Sequence, residues 1–153
     1  MAAKPDGARQ YLKMCACGRE FNGAPILGKV TKIKKDLTKM IKCYIMDTDA
    51  NENVGKYFKV KEFACKDGSQ VVFIDSYLVS ILDTLRNQVG KPVYINSGYR
   101  TPTMNKAVGG AKYSYHMRGM AADIRVDGMT AKEIANKLKK SRQTVAEIGR
   151  AHV

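Results

Sequence analysis

The residues best suited to chemistry lie between Ser97 and Asp123, in the run SGYRTPTMNKAVGGAKYSYHMRGMAAD. This run holds His116, one of 2 histidines in the chain, and Asp123, which interrupts an otherwise apolar strand signal. Between them stand Gly119, Ala121 and Ala122, small residues that let the backbone fold back and leave room around a shared point. A neutral imidazole nitrogen and a carboxylate oxygen suit Zn2+, which takes each at about 2.0–2.2 Å. An aspartate inside an apolar strand needs a partner or a metal, because burying an unpaired carboxylate is expensive. Arg100 follows a tight Ser-Gly turn and offers a planar cation for a carboxylate or an oxyanion. The same residues also fit a plainer reading, a surface histidine and an aspartate that ends a strand, and spacing alone leaves both open.

Other constellations are thinner. Cys15-x-Cys17-Gly18 could open a zinc knuckle with Cys43 and Cys65, but metal sites more often use two to four intervening residues. Asp47, Asp49 and Asn51 begin like a calcium loop, yet Glu52 stands where the glycine belongs and Phe58 where the final glutamate belongs. A polar turn is the better reading. Tyr99, Tyr113 and Tyr115 either line a cleft or pack.

The elements that must position these residues alternate helix and strand signals from about residue 56 onward. Gln70–Ile74 (QVVFI) reads as a strand. Asp75 or Ser76 can then cap a helix that buries Leu78, Val79, Ile81, Leu82, Leu85 and Val89. Gly90 is a natural stop, reinforced by Lys91-Pro92. Val93–Asn96 reads as a second strand. Thr101-Pro102 starts a short helix that ends at Gly109-Gly110. Met120–Val126 is a third strand, and Thr130 opens a helix with Glu133 at the capping-box offset and Ile134 and Leu138 on one face. The mixture lacks strict βαβ alternation and predicts an α+β fold.

Earlier in the chain, Val30, Ile33, Leu37, Ile41 and Tyr44 recur at spacings of three or four and predict an amphipathic helix. Lys29, Lys32, Lys34, Lys35, Lys39 and Lys42 occupy much of its other surface, as a solvated face or one that binds a polyanion.

With the motifs in place, the run S-G-Y-R-T-P…N…V-G-G-A…S-Y-H-M-R-G-M-A-A-D-I resembles the zinc D-alanyl-D-alanine carboxypeptidase family. That family includes phage L-alanyl-D-glutamate endopeptidases and vancomycin-resistance D,D-dipeptidases. Ser114, His116, Gly119, Ala121 and Asp123 match every fixed position of its signature S-x-H-x-x-G-x-A-x-D. Ser97, Gly98, Tyr99, Arg100 and Pro102 match the upstream S-G-Y-R-x-P. The resemblance covers about Tyr57 to Lys140, and two linked motifs at a sensible separation are much more specific than either alone.

The resemblance implies a small antiparallel sheet with flanking helices, similar to the hedgehog and D,D-peptidase folds. It implies zinc held by His116 and Asp123, with Arg100 steadying the substrate carbonyl as it becomes an oxyanion. Ser114 would support the substrate or the metal loop. The substrate would be a peptidoglycan stem peptide, cut at a bond involving a D-residue.

The family takes a third zinc ligand, a histidine, from a strand well downstream of the aspartate, with a catalytic Glu or Asp shortly before it. This chain offers only His152, in EIGRAHV, outside that context. EIGRAHV is also what a widely used sequencing-adapter oligonucleotide would encode. Residues 147–153 are therefore expected to be adapter read-through, and the natural frame to be cut near Ala146. On that ligand count the chain is expected to have little or no activity, while its parent is an active zinc peptidase.

Composition sets the outer limits. The 153 residues suit one ordinary domain, and 44% hydrophobic residues rule out wholesale disorder. A basic segment over residues 1–55 is expected to precede a peptidase-like domain over 56–146. The net charge of +13 points to polyanionic surroundings. Anionic wall polymer fits that charge and the resemblance better than nucleic acid does. The rival reading is a non-catalytic basic module that binds wall polymer or nucleic acid. No stretch has the roughly 20 apolar residues of a membrane helix, and no apolar signal region is visible at the N-terminus. Synthesis in the cytoplasm is expected, with action at the cell wall in phage lysis or after export by another route.

Overall fold

The computed structural model describes residues 12–15 and 40–151, with side chains described over 40–145. Two small antiparallel sheets carry the architecture. In the first, β1 (Leu12–Cys15) and β4 (Tyr94–Ser97) flank β5 (Ala121–Arg125). In the second, β2 (Ile41–Ile45) pairs with β3 (Val71–Asp75). The helices are α1 (Met46–Asp49), α2 (Ser76–Val89), α3 (Pro102–Ala107) and α4 (Ala131–Ala151). Two 3-10 turns, Val60–Phe63 and Tyr115–Arg118, complete the described elements. This is an α+β fold with helices beside small antiparallel sheets.

Local signals explain most element ends. Asp75 caps α2, accepting a hydrogen bond from the Tyr77 N–H at 2.9 Å. Gly90 closes the same helix at φ 65°, a left-handed conformation that favours glycine. Thr101 caps α3 by accepting from the Met104 N–H at 3.2 Å, with Pro102 at the first helical position. At the start of α4, Thr130 and Glu133 form the reciprocal capping box: Thr130 N–H donates to the Glu133 carboxylate at 2.7 Å, and Glu133 N–H donates to Thr130 Oγ1 at 3.3 Å.

Leu78, Ile81, Leu82 and Leu85 of α2 are fully buried, as their spacing predicts. Their main neighbour is α4, through Ile134 and Leu138, rather than the sheet alone. Val93, just before β4, Ala122 and Ile124 from the first sheet, Val72 and Ile74 from the second, and Phe58 and Phe63 complete one core.

One expectation fails. Ile41 and Tyr44 do not continue a helix; they lie on β2, which runs antiparallel to β3 in the register Ile41↔Asp75 to Ile45↔Val71. The segment IKCYI has strong strand formers, and pairing with the VVFID strand outweighs a helical spacing shared by a few residues. Residues 30–39 of that expected helix, with its lysines up to Lys39, lie outside the described residues. Residues 41–54, counted with the basic segment on composition, are hydrogen-bonded into this fold. Examples are Met46 N–H to Gln70 O at 2.7 Å and Val54 N–H to Phe58 O at 2.9 Å.

Asp75 carries a cost with its cap. Its side chain is fully buried, and its Oδ2 has no hydrogen-bond partner. Burial pushes its carboxyl above the usual range, partly offset by the Tyr77 N–H. A carboxyl raised by folding binds its proton more tightly in the fold than in the unfolded chain. Its contribution to stability is therefore fully present below the unfolded value of about 3.9 and is lost as pH rises through the folded value. Asp75→Asn keeps the capping oxygen and removes the buried charge. The variant is expected to be about 1 kcal/mol more stable than the parent at neutral pH, with the difference closing toward acid pH. Denaturant melts across pH check this, and a variant less stable at neutral pH would contradict it.

Candidate metal site

The site forms where two short segments are stitched together. β4 and β5 pair with Ile95 opposite Ile124 and Ser97 opposite Asp123, so the register shifts by one residue around Asn96. Such a bulge bends a strand and redirects the residues beyond it. It turns Ser97–Arg100 toward the 3-10 turn that carries His116. The Arg100 N–H donates to the His116 carbonyl at 3.0 Å, and Tyr99 N–H donates to Phe63 O at 2.8 Å.

His116 and Asp123 meet in this corner. His116 Nε2 lies 3.5 Å from Asp123 Oδ1, and both residues are buried. The other ring nitrogen, Nδ1, stands 2.7 Å from the Gly98 carbonyl oxygen. A carbonyl can only accept, so Nδ1 carries the hydrogen, and a neutral ring then presents a bare lone pair on Nε2. Opposite it, Asp123 Oδ1 is buried and has no hydrogen-bond partner. With the ring neutral, two lone pairs face each other in a buried corner, an arrangement that a proton or a metal cation between them would satisfy.

A zinc ion fits that requirement. Two donors bonded tetrahedrally at about 2.0–2.2 Å stand roughly 3.3–3.6 Å apart, which matches the observed separation. The carbonyl behind the imidazole is also the usual outer partner of a metal-binding histidine, fixing tautomer and ring orientation. Among the described residues, no third His, Cys, Asp or Glu joins the pair to make a three-donor group. His152 lies outside the described residues. Of the four cysteines, Cys43 is exposed and Cys65 buried, both as free thiols.

Arg100 faces the same corner. Its Nη2 donates to Asp123 Oδ2 at 3.1 Å and its Nε to Ser97 Oγ at 3.1 Å. The guanidinium thus holds the Asp123 oxygen that points away from His116 and balances its charge. Ser114 caps the His116 turn: its Oγ accepts from the His116 N–H at 3.3 Å. It stands behind the histidine as a support for the loop. Tyr99 is buried edge-on against Phe73, with ring centroids 5.4 Å apart. Tyr115 packs partly against the core, whereas Tyr113 is exposed.

Two participants carry no signal of their own in the sequence. The Gly98 carbonyl acts through its backbone, and Ser97 acts on Arg100. Their fixed place in the S-G-Y-R motif was the available sign. Gly119 closes the His116 turn at φ 70°, and a Cβ there would stand 2.0 Å from the Phe73 carbonyl oxygen. This close approach seats the turn on β3, where Asp75 N–H donates to Gly119 O at 3.0 Å.

Comparison with known proteins places the chain among peptidases. The family model described as peptidase M15 matches residues 56–152. A zinc D-Ala-D-Ala carboxypeptidase from Streptomyces albus G is 48% identical over 44 residues, 28% of this chain. The match spans only 17% of that enzyme's length. No solved structure matches the chain. Among the described residues, no helix is long and apolar enough to cross a membrane.

Proposed function

From the premise that the chain belongs to the peptidase M15 family, we propose that it is a zinc peptidase acting on peptidoglycan stem peptides, at bonds involving D-residues. The observation that carries this reading is the buried facing of His116 Nε2 and Asp123 Oδ1 at 3.5 Å, with Nδ1 committed to the Gly98 carbonyl. The likeness to a zinc D-Ala-D-Ala carboxypeptidase supports the metal and the substrate class. The net charge of +13 suits the anionic bacterial wall, where the protein would act in phage lysis or after export.

His116 and Asp123 are the residues that would hold the ion. Zinc at such a site supplies Lewis acidity, lowering the pKa of a water toward about 7 and polarising a carbonyl. Gly98 keeps His116 in the ligating tautomer. Ser114 and Gly119 fix the turn that presents it. Arg100, tied on one side to Asp123, also borders the adjoining cavity. It is placed to steady negative charge developing on a substrate oxygen.

The described residues provide no third ligand and no carboxylate beside one to take up the water's proton. Catalytic zinc sites ordinarily have three protein ligands. We therefore expect this chain to have little or no activity on stem peptide. Mass spectrometry of a stem pentapeptide incubated with the zinc-loaded chain tests the proposal. Any cleavage beside a D-residue is expected to be slow and zinc-dependent, with no further loss in His152→Ala. Cleavage that persists in chelator, or a chain that does not bind zinc, would overturn the zinc-peptidase reading. Full loss in His152→Ala would instead make His152 the third ligand.

The absence of a third donor among the described residues also favours a second reading, a non-catalytic basic module. It would bind anionic wall polymer without hydrolysing peptide.

A further inference from the structure

Asn105 is the buried residue of α3. Its Nδ2 donates to the Ala111 carbonyl at 2.8 Å, while its Oδ1 is buried with no hydrogen-bond partner. A leucine has nearly the same shape and would leave no orphaned acceptor, so packing alone does not call for an amide here. What only the amide supplies is the bond to Ala111.

That bond holds a segment with few other anchors. Between Asn105 and Ser114, both buried, every residue is exposed except the half-buried Gly110. Gly110 N–H donates to Asn105 O at 2.8 Å, and a Cβ on Gly110 would stand 2.0 Å from Asn105 Oδ1. The amide thus lies directly against the loop it holds. Ala111 O accepts a second bond, from Ser114 N–H at 3.1 Å. One carbonyl therefore uses both its lone pairs, one toward α3 and one toward the residue that begins the metal turn. Ser114 Oγ in turn accepts from His116 N–H at 3.3 Å, and Ser114 O from Met117 N–H at 3.1 Å. Gly119 seats the far end of the turn on β3, and the Gly98 carbonyl fixes the ring. The near end rests on Ser114, and Ser114 rests on Ala111.

We propose that Asn105 is a positioning residue for the metal histidine. Through Ala111 and Ser114 it sets where the chain enters the Tyr115–Arg118 turn, and so how His116 Nε2 approaches Asp123. The proposal rests on the zinc reading above and adds a residue outside the ligand pair that governs it. Hydrogen-bonded supports of a metal ligand change affinity by about 10–100-fold. Asn105 acts through two intervening residues, which places it at the lower end of that range.

The test compares the full chain with its Asn105→Leu and Gly110→Ala variants. The first removes the bond at nearly constant volume; the second pushes the amide off the Ala111 carbonyl and leaves Asn105 in the sequence. Each should bind zinc about 10-fold more weakly than the parent in competition with a chelator. The metal-free chain gives a separate reading: the His116 Nδ1–H proton, bonded to the Gly98 carbonyl, should exchange with water about 10-fold faster in each variant. Ser141→Ala is the control. Ser141 is fully buried at the contact of α2 with α4, its Oγ 3.1 Å from both Gln88 Oε1 and Lys137 O. That variant should lose stability and keep both readings. Thermal melts establish which variants fold, and Gly110→Ala carries both readings should Asn105→Leu not fold. Zinc affinity within a few-fold of the parent in a folded variant, or an unchanged exchange rate, overturns the proposal. So does an equal loss of affinity in Ser141→Ala. A parent that binds no zinc overturns the peptidase reading instead, and the exchange rate alone then decides the role of Asn105.

Discussion

Replacing His116 with alanine is expected to lower zinc affinity by more than about 100-fold. Changes to the outer partners of a metal ligand typically cost 10–100-fold, and loss of the ligand itself should exceed that. His116 Nε2 is the imidazole donor in the described corner, and its lone pair is fixed by the bond from Nδ1 to the Gly98 carbonyl. No neighbouring His, Cys, Asp or Glu among the described residues completes a substitute group. Competition against a chromophoric chelator measures the effect. An affinity within a few-fold of the parent would mean that zinc binds elsewhere.

The second large effect concerns stability. Gly119→Ala is expected to destabilise the chain by about 2–5 kcal/mol, combining left-handed strain with overpacking. Gly119 has φ 70°, and a Cβ would stand 2.0 Å from the Phe73 oxygen and 2.4 Å from its carbonyl carbon. Those are strand backbone atoms, with no flexible side chain to swing away. Relief would have to lift the Tyr115–Arg118 turn from β3, taking His116 with it. Zinc affinity should therefore fall together with the denaturation midpoint. By contrast, Gly68, at φ 81°, has open space where a Cβ would stand, and Gly68→Ala should cost about 1–3 kcal/mol from backbone strain alone, with zinc affinity unchanged. Equal stability of Gly119→Ala and the parent would contradict the packing described for this turn.

How far the sequence discloses this arrangement depends on the range of the interactions. Capping signals act within four residues, so Asp75, Gly90, Thr101 and the Thr130–Glu133 box mark helix ends that the structure places within a residue or so. The pairing of His116 with Asp123 was legible because both sit in one compact motif separated by small residues. The Ile41–Ile45 strand was not, because its conformation is decided by pairing with Val71–Asp75, some thirty residues away. The bulge around Asn96 and the Gly98 carbonyl escaped for a related reason. Neither depends on a distinctive side chain; both arise from how β4 registers against β5. Arg100 was legible as a cation near the site, but its two bonds, to Asp123 and Ser97, required the fold.

The most direct test of the account is X-ray absorption at the zinc edge on the chain loaded with one equivalent of zinc. The predicted shell has nitrogen and oxygen neighbours at about 2.0–2.2 Å, including the outer-ring scattering of one imidazole that disappears in His116→Ala. A shell dominated by sulfur at about 2.3 Å would place the metal on the cysteines and contradict the central claim.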